Sequence, residues 1–134
     1  MWLARVFLVL LFVLCLGTAQ DTTTYIAHAI EPFPGPQVYK DLNSGTTLYV
    51  ETDGRHVAGI SADGKLLWNK DPLKEAHLDY YRTKKPQIIY VGPVSKSNPY
   101  TKEGSQEFAA ITFNNSQFGL LRISNGEFQF LGQD

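Results

Sequence analysis

The chain is expected to be an all-β domain, mostly antiparallel, with one short helix. Three observations predict this. Residues 48–68, LYVETDGRHVAGISADGKLLW, hold three short runs of β-formers separated by the turn dipeptides Asp53-Gly54 and Asp63-Gly64. Residues 111–130, ITFNNSQFGLLRISNGEFQF, show the same layout, with Asn125-Gly126 as the hairpin dipeptide. Between them, residues 69–82 abandon the β pattern.

Taken in order, residues 1–19 read as a secretory signal peptide. Arg5 precedes an apolar run, VFLVLLFVLCL, over 6–16, and Gly17-Thr18-Ala19 supplies the small residues of a cleavage site. The run is shorter than the roughly 18 residues a membrane span requires. Residues 20–134 then form a single domain, secreted or periplasmic. A strand is expected over 24–30. Residues 31–36, EPFPGP, form an extended connection, because three prolines remove three donors and fix φ. A short edge strand is expected over 38–42.

Strands follow at 46–52, 56–61 and 65–68, with Leu48, Val50, Ala58, Ile60, Leu66 and Trp68 facing inward. Asp71 caps a helix over about 72–81, with Pro72 at its first position, where a missing N–H is harmless. Further strands are expected at 87–91, 108–113, 117–124 and 127–131, the last with Phe128 and Phe130 inward. Residues 93–106 are polar and loop-rich.

The two halves align. Leu48 and Val50 match Ile111 and Phe113 at an offset of 63, while Gly64 and Trp68 match Gly126 and Phe130 at 62. The lost residue is assigned to the Asn125-Gly126 turn. The correspondence extends upstream, from 24–30 to 86–92. Two similar units of about four strands, roughly 20–70 and 82–134, would then pack as a small sandwich or barrel.

Residues 53–68, DGRHVAGISADGKLLW, resemble a blade repeat of the quinoprotein (PQQ-like) β-propellers through Gly54, Ala58, Gly64, Lys65 and Trp68. In the second half Ser116-Gln117 stands for the Asp-Gly, and Phe130 for the Trp. The resemblance implies blade-like sheets. A propeller needs at least four blades, and two units are too few for a closed ring or for quinone chemistry. No cofactor is expected. A monomer is expected, with blades completed by self-association as the alternative.

Charge and composition exclude several functions. The chain has 12 Lys+Arg, 13 Asp+Glu and a net charge of −1, which gives no electrostatic case for nucleic acid or an anionic membrane. The single cysteine, Cys15, falls in the leader, so no disulfide, thiol nucleophile or thiolate metal site is expected beyond it. No Gly-x-Ser-x-Gly elbow or phosphate loop occurs. The histidines, His28, His56 and His77, lack metal-binding spacing, and His77 and Asp79 fall on different faces of a helix. Glu51 and Asp53 read as acids of a solvated turn. No metal site and no catalytic set are expected.

One aromatic-basic cluster stands out: Tyr80, Tyr81, Arg82, Lys84 and Lys85. Tyr and Arg are enriched where partners bind, so this cluster is the expected lip for a protein or glycan. The expected function is an exported, non-catalytic binding protein. An envelope inhibitor or immunity-type protein, inserting residues 93–106 into an enzyme, is one alternative. A small hydrolase using His and Asp is the other.

Overall fold

The computed structural model describes residues 29–98 and 105–134. Among them, eight strands form two four-stranded antiparallel sheets. The first contains β1 (Gln37–Lys40), β2 (Thr47–Val50), β3 (Val57–Ile60) and β4 (Leu66–Lys70), in that order. The second contains β5 (Ile88–Pro93), β6 (Phe108–Phe113), β7 (Gln117–Arg122) and β8 (Phe128–Gln133), again in chain order. A helical turn, α1 (Pro72–Glu75), follows the first sheet, and a 3-10 turn (Ser105–Glu107) leads into β6. The all-β, two-unit expectation holds, and neither sheet closes into a barrel. The expected leader and most of the expected strand at 24–30 lie outside the described residues. Ala29 and Ile30 have no regular structure.

The sheets bury each other. Leu48, Val50, Val57 and Trp68 from the first meet Ile88, Val91, Ala109, Ile111, Phe113 and Leu121 from the second, with Ile123, in one continuous core. Removing such side chains from water stabilises the fold by about 1.5–3 kcal/mol each. Phe113 meets Phe128 edge-on, with centroids 5.9 Å apart and planes at 82°. Phe33, from the proline-rich connection, and Leu73 of α1 pack against the rim of this core.

Trp68 joins the two halves directly. Its indole N–H donates to the Ile123 carbonyl at 2.9 Å. The ring lies against Gly59 of its own sheet and Gly126 of the opposite turn. A β-carbon on Gly59 would stand 2.3 Å from the ring, and one on Gly126 2.5 Å from it. Only hydrogen fits at either position. Gly126 also holds φ at 73°, a region other residues enter at a cost.

Register corrects four expected facings. Val50 pairs with Val57 and Leu48 with Gly59, so Val57 and Gly59, rather than Ala58 and Ile60, share the core face. Ala58 is nonetheless buried, on the opposite side of the strand. Gly59 pairs with Trp68 but Ile60 with Leu66, leaving Leu67 as an extra residue in β4. This bulge keeps Trp68 inward and turns Leu66 outward, where it is 64% exposed. In the second sheet the ring lying over Gly119 is that of Phe128. Phe130 is displaced to the rim of edge strand β8 and is 36% exposed.

The assignment of the shortened turn is also corrected. Val50 and Val57 pair seven residues apart, whereas Thr112 and Phe118 pair six apart. Ile60 and Leu66 pair six apart, whereas Leu121 and Phe128 pair seven apart. The 114–116 turn is therefore shorter than the β2–β3 turn, and the Asn125-Gly126 turn is longer than the β3–β4 turn. The strand preceding β2 is β1, 51 residues before β5 rather than about 62.

The helix is shorter than expected. Asp71 caps it as anticipated, accepting from the Lys74 N–H, and Pro72 opens it. Ala76 ends it, and His77 adopts φ 52°, a left-handed exit. The expected apolar face fails because Tyr80 finds nothing to bury against and is 78% exposed. A helix this short draws its stability from packing, and here only Pro72, which is buried, and Leu73 pack.

Candidate functional site

The β2–β3 and β6–β7 turns lie at the same end of the sandwich. Gln87 ties them together: its N–H donates to Asn114 Oδ1 at 2.9 Å and its side-chain amide to the Asp53 carbonyl at 3.1 Å. The Asn114 N–H returns to the Gln87 carbonyl at 2.8 Å, and the Ile88 N–H reaches the Gly54 carbonyl at 2.7 Å. Residues 76–86 cross over this end as they pass from one sheet to the other.

Two amides hold the crossing segment. Asn115 is fully buried and donates to the Tyr81 carbonyl at 3.1 Å and to Gln117 Oε1 at 2.8 Å. Its own oxygen accepts from the Gln117 N–H at 3.1 Å. Gln117 donates onward to Gln133 at 3.1 Å. The Tyr81 hydroxyl donates to the Asp134 carbonyl, which also accepts from Ser116 at 3.1 Å. Ser116 sits at φ 65° and closes its turn onto the Phe113 carbonyl at 3.0 Å, as Gly54 closes onto Glu51 in the first sheet. Asn115→Ala removes these bonds and orphans buried partners, so a loss of about 1–3 kcal/mol is expected. The check is urea unfolding, with hydrogen exchange over 78–86 rising beyond the global change.

Between the segment and the turns lies a cleft of about 290 Å³. Leu73, Tyr80 and Tyr81 give it apolar surface, and Asn115 and Gln117 contribute at its inner end. Arg55, Lys74 and Lys84 bring positive charge, and Asp79 is its one acid. Arg55 is engaged by Asp71 at 2.8 Å, which fixes α1 to the β2–β3 turn. The side chains of Lys74, His77, Asp79 and Lys84 make no hydrogen bond or ion pair among the described residues. At the opposite end a second cleft, of about 560 Å³, has its principal charges satisfied internally. There Arg122 pairs with Glu107 at 2.8 Å, and Asp41 accepts from Ser44.

Of the five cluster residues expected to bind, three line the first cleft: Tyr80, Tyr81 and Lys84. Arg82 instead holds φ 60° and donates to Ser116 at 3.1 Å. Lys85 is exposed outside the cleft, its N–H satisfied by Thr83. Arg55, Lys74, Asn115 and Gln117 were not foreseen. His77 and Asp79, assigned to separate helix faces, meet in the cleft because the helix has already ended.

His56 pairs with Asp53 at 2.5 Å. Asp53 also accepts from the Arg55 and His56 N–H groups at 2.8 and 3.0 Å, and Glu51 accepts from Asn69 at 2.5 Å. Glu51, Asp53 and His56 offer ligand atoms within 4.8 Å of one another, the described residues best placed to hold a metal ion. All three are engaged in closing the turn. His56 and His77 line one shallow groove beside Lys74 and Glu75.

The Asp53–His56 pair makes stability depend on pH. Burial alone raises the Asp53 carboxyl, but the Arg55 and His56 N–H groups and the His56 ring outweigh it and bring it to about 2 from 3.8. The Asp53 hydrogen bond holds His56 above 6.5 against its own burial. The carboxyl's contribution is present above 3.8 and lost as pH falls toward 2. The imidazole's is present below 6.5 and lost as pH rises through its raised value. Both act together between about 4 and 6.5. The side chains are 44% exposed, so solvent limits the pair to less than about 1 kcal/mol. Asp53→Asn is expected to lower the Tm most near pH 5–6. Melting curves of both proteins should converge toward pH 2, whereas above the raised His56 value a smaller difference should remain, because the ionised Asp53 carboxyl still accepts from the Arg55 and His56 N–H groups.

No family model, curated protein or solved structure matches the chain. Among the described residues, no helix is long and apolar enough to cross a membrane.

Proposed function

We propose that the chain is an exported, non-catalytic binding protein whose ligand site is the cleft beneath residues 73–86. The observation that carries this reading is a built cavity whose polar groups are unspent. Lys74, His77, Asp79 and Lys84 face no partner in the described chain, while the amides that support the segment are satisfied. Polar groups converging on an apolar-lined cleft are the usual form of a ligand site. The leader-like run over 6–16 supports export. The matching strand order of the two sheets supports a duplication of one blade-like unit.

A titration of isotopically labelled protein with fragment-sized ligands tests the site. Amide shifts are expected over 73–86 and 115–117. Shifts confined to 41–46 and 122–124, around the opposite cleft, would contradict it.

The small-hydrolase reading has one observation in its favour, the Asp53–His56 pair. None of the described residues lining its groove carries a hydroxyl or thiol nucleophile. A His56→Ala variant separates the two readings, because His56 lies outside the proposed cleft: a hydrolase using the Asp53–His56 pair loses turnover and a binding protein keeps its ligand. The inhibitor reading depends on residues 93–106, of which 99–104 lie outside the described residues.

A further inference from the structure

Resting on the binding-site reading above, we infer that the cleft takes a carboxylate-bearing sugar. Charge is the first argument. Residues 74–85 hold four of the chain's twelve Lys+Arg and two of its thirteen Asp+Glu, although the whole chain carries −1. Arg55 is already engaged by Asp71, which leaves Lys74 and Lys84 to meet an anion. A charge-assisted bond to a carboxylate is roughly twice as strong as a neutral one.

Shape and polarity narrow the anion. Tyr80 exposes an aromatic ring at the cleft, and a flat π-face suits the C–H face of a sugar ring. Asp79, in the same cleft, accepts hydrogen bonds and donates none. It matches ligand hydroxyls and repels dense negative charge, so a phosphorylated ligand is disfavoured there. A ligand with one carboxylate, several hydroxyls and a ring satisfies all of these groups. An acidic peptide supplies the carboxylate without the hydroxyls. The cavity, about 290 Å³, lies at the small end of ligand clefts (roughly 300–1,000 Å³). It accommodates an end unit rather than a length of polymer.

Calorimetric titration with galacturonic acid and its di- and trisaccharides, against the neutral galactose series, tests this. The acidic series is expected to bind at least about tenfold tighter than the neutral one, and to weaken severalfold in about 0.5 M salt. Lys84→Gln, Lys74→Gln and Tyr80→Ala should each weaken binding about tenfold without shifting the Tm, because all three side chains are exposed. Lys85→Gln, outside the cleft, should bind as the parent. Equal affinity for the neutral series would overturn the inference. So would failure of both sugar series while fragments still shift 73–86, an outcome that leaves the binding-site reading standing. Fragments shifting only the opposite cleft would overturn both.

Discussion

Replacing Trp68 with alanine is expected to remove about 3–5 kcal/mol of stability, the largest effect of any single truncation in this chain. The ring is buried and in contact with both sheets, through Gly59 on one side and Gly126 on the other. Its loss leaves a cavity that neither glycine can fill, because neither has a side chain to relax into the space. It also orphans the Ile123 carbonyl, which accepts the indole N–H at 2.9 Å. Trp68→Phe should fall between the two, restoring most of the buried area but not the hydrogen bond. Urea unfolding measures both, and a loss under about 1.5 kcal/mol for the alanine variant would place the ring outside the shared core.

The second large effect approaches the same contact from the opposite sheet. Gly126→Ala is expected to cost about 2–4 kcal/mol, combining overpacking with a left-handed backbone that disfavours a β-carbon. The added carbon would meet Trp68 at 2.5, 2.7 and 2.8 Å at three ring atoms. The ring has little freedom to retreat, because Gly59 backs it and Ile123 holds its N–H. Coupling follows from this geometry. In a Trp68→Ala background the steric part of the Gly126→Ala cost should disappear, leaving only about 1 kcal/mol for the backbone. Additive costs in the double variant would show that the two positions do not meet.

Much of the fold was legible in the sequence because turns carry strong local chemistry. Asp53-Gly54, Asp63-Gly64 and Asn125-Gly126 all fall at hairpin turns, and Asp71-Pro72 opens the helix. Facings were less legible. A bulge at Leu67 changes parity without any local sequence mark, because it is selected by the need to set Trp68 over Gly59. The helix was overextended because Leu73, Ala76 and Tyr80 have helical spacing, yet spacing does not reveal whether a surface waits to receive Tyr80.

The candidate site was half legible. Tyr80, Tyr81 and Lys84 are adjacent in sequence and stand out as an aromatic-basic cluster. Arg55 and Asn115 reach the same cleft from two turns sixty residues apart, and only the packing of the two sheets joins them. One local signal was available. A tight turn without glycine, Asn114-Asn115-Ser116, forces Ser116 to φ 65°, and such a turn is retained where its side chains have another task. Here Asn115 holds the Tyr81 carbonyl.

The central claim is that a single core shared by two sheets carries the cleft. Residue-resolved urea unfolding by NMR tests it most directly. Amides of β1–β4, β5–β8 and residues 78–86 should disappear at a common urea concentration, as one cooperative transition. Separate midpoints for the two sheets, with the crossing segment lost alongside neither, would contradict it.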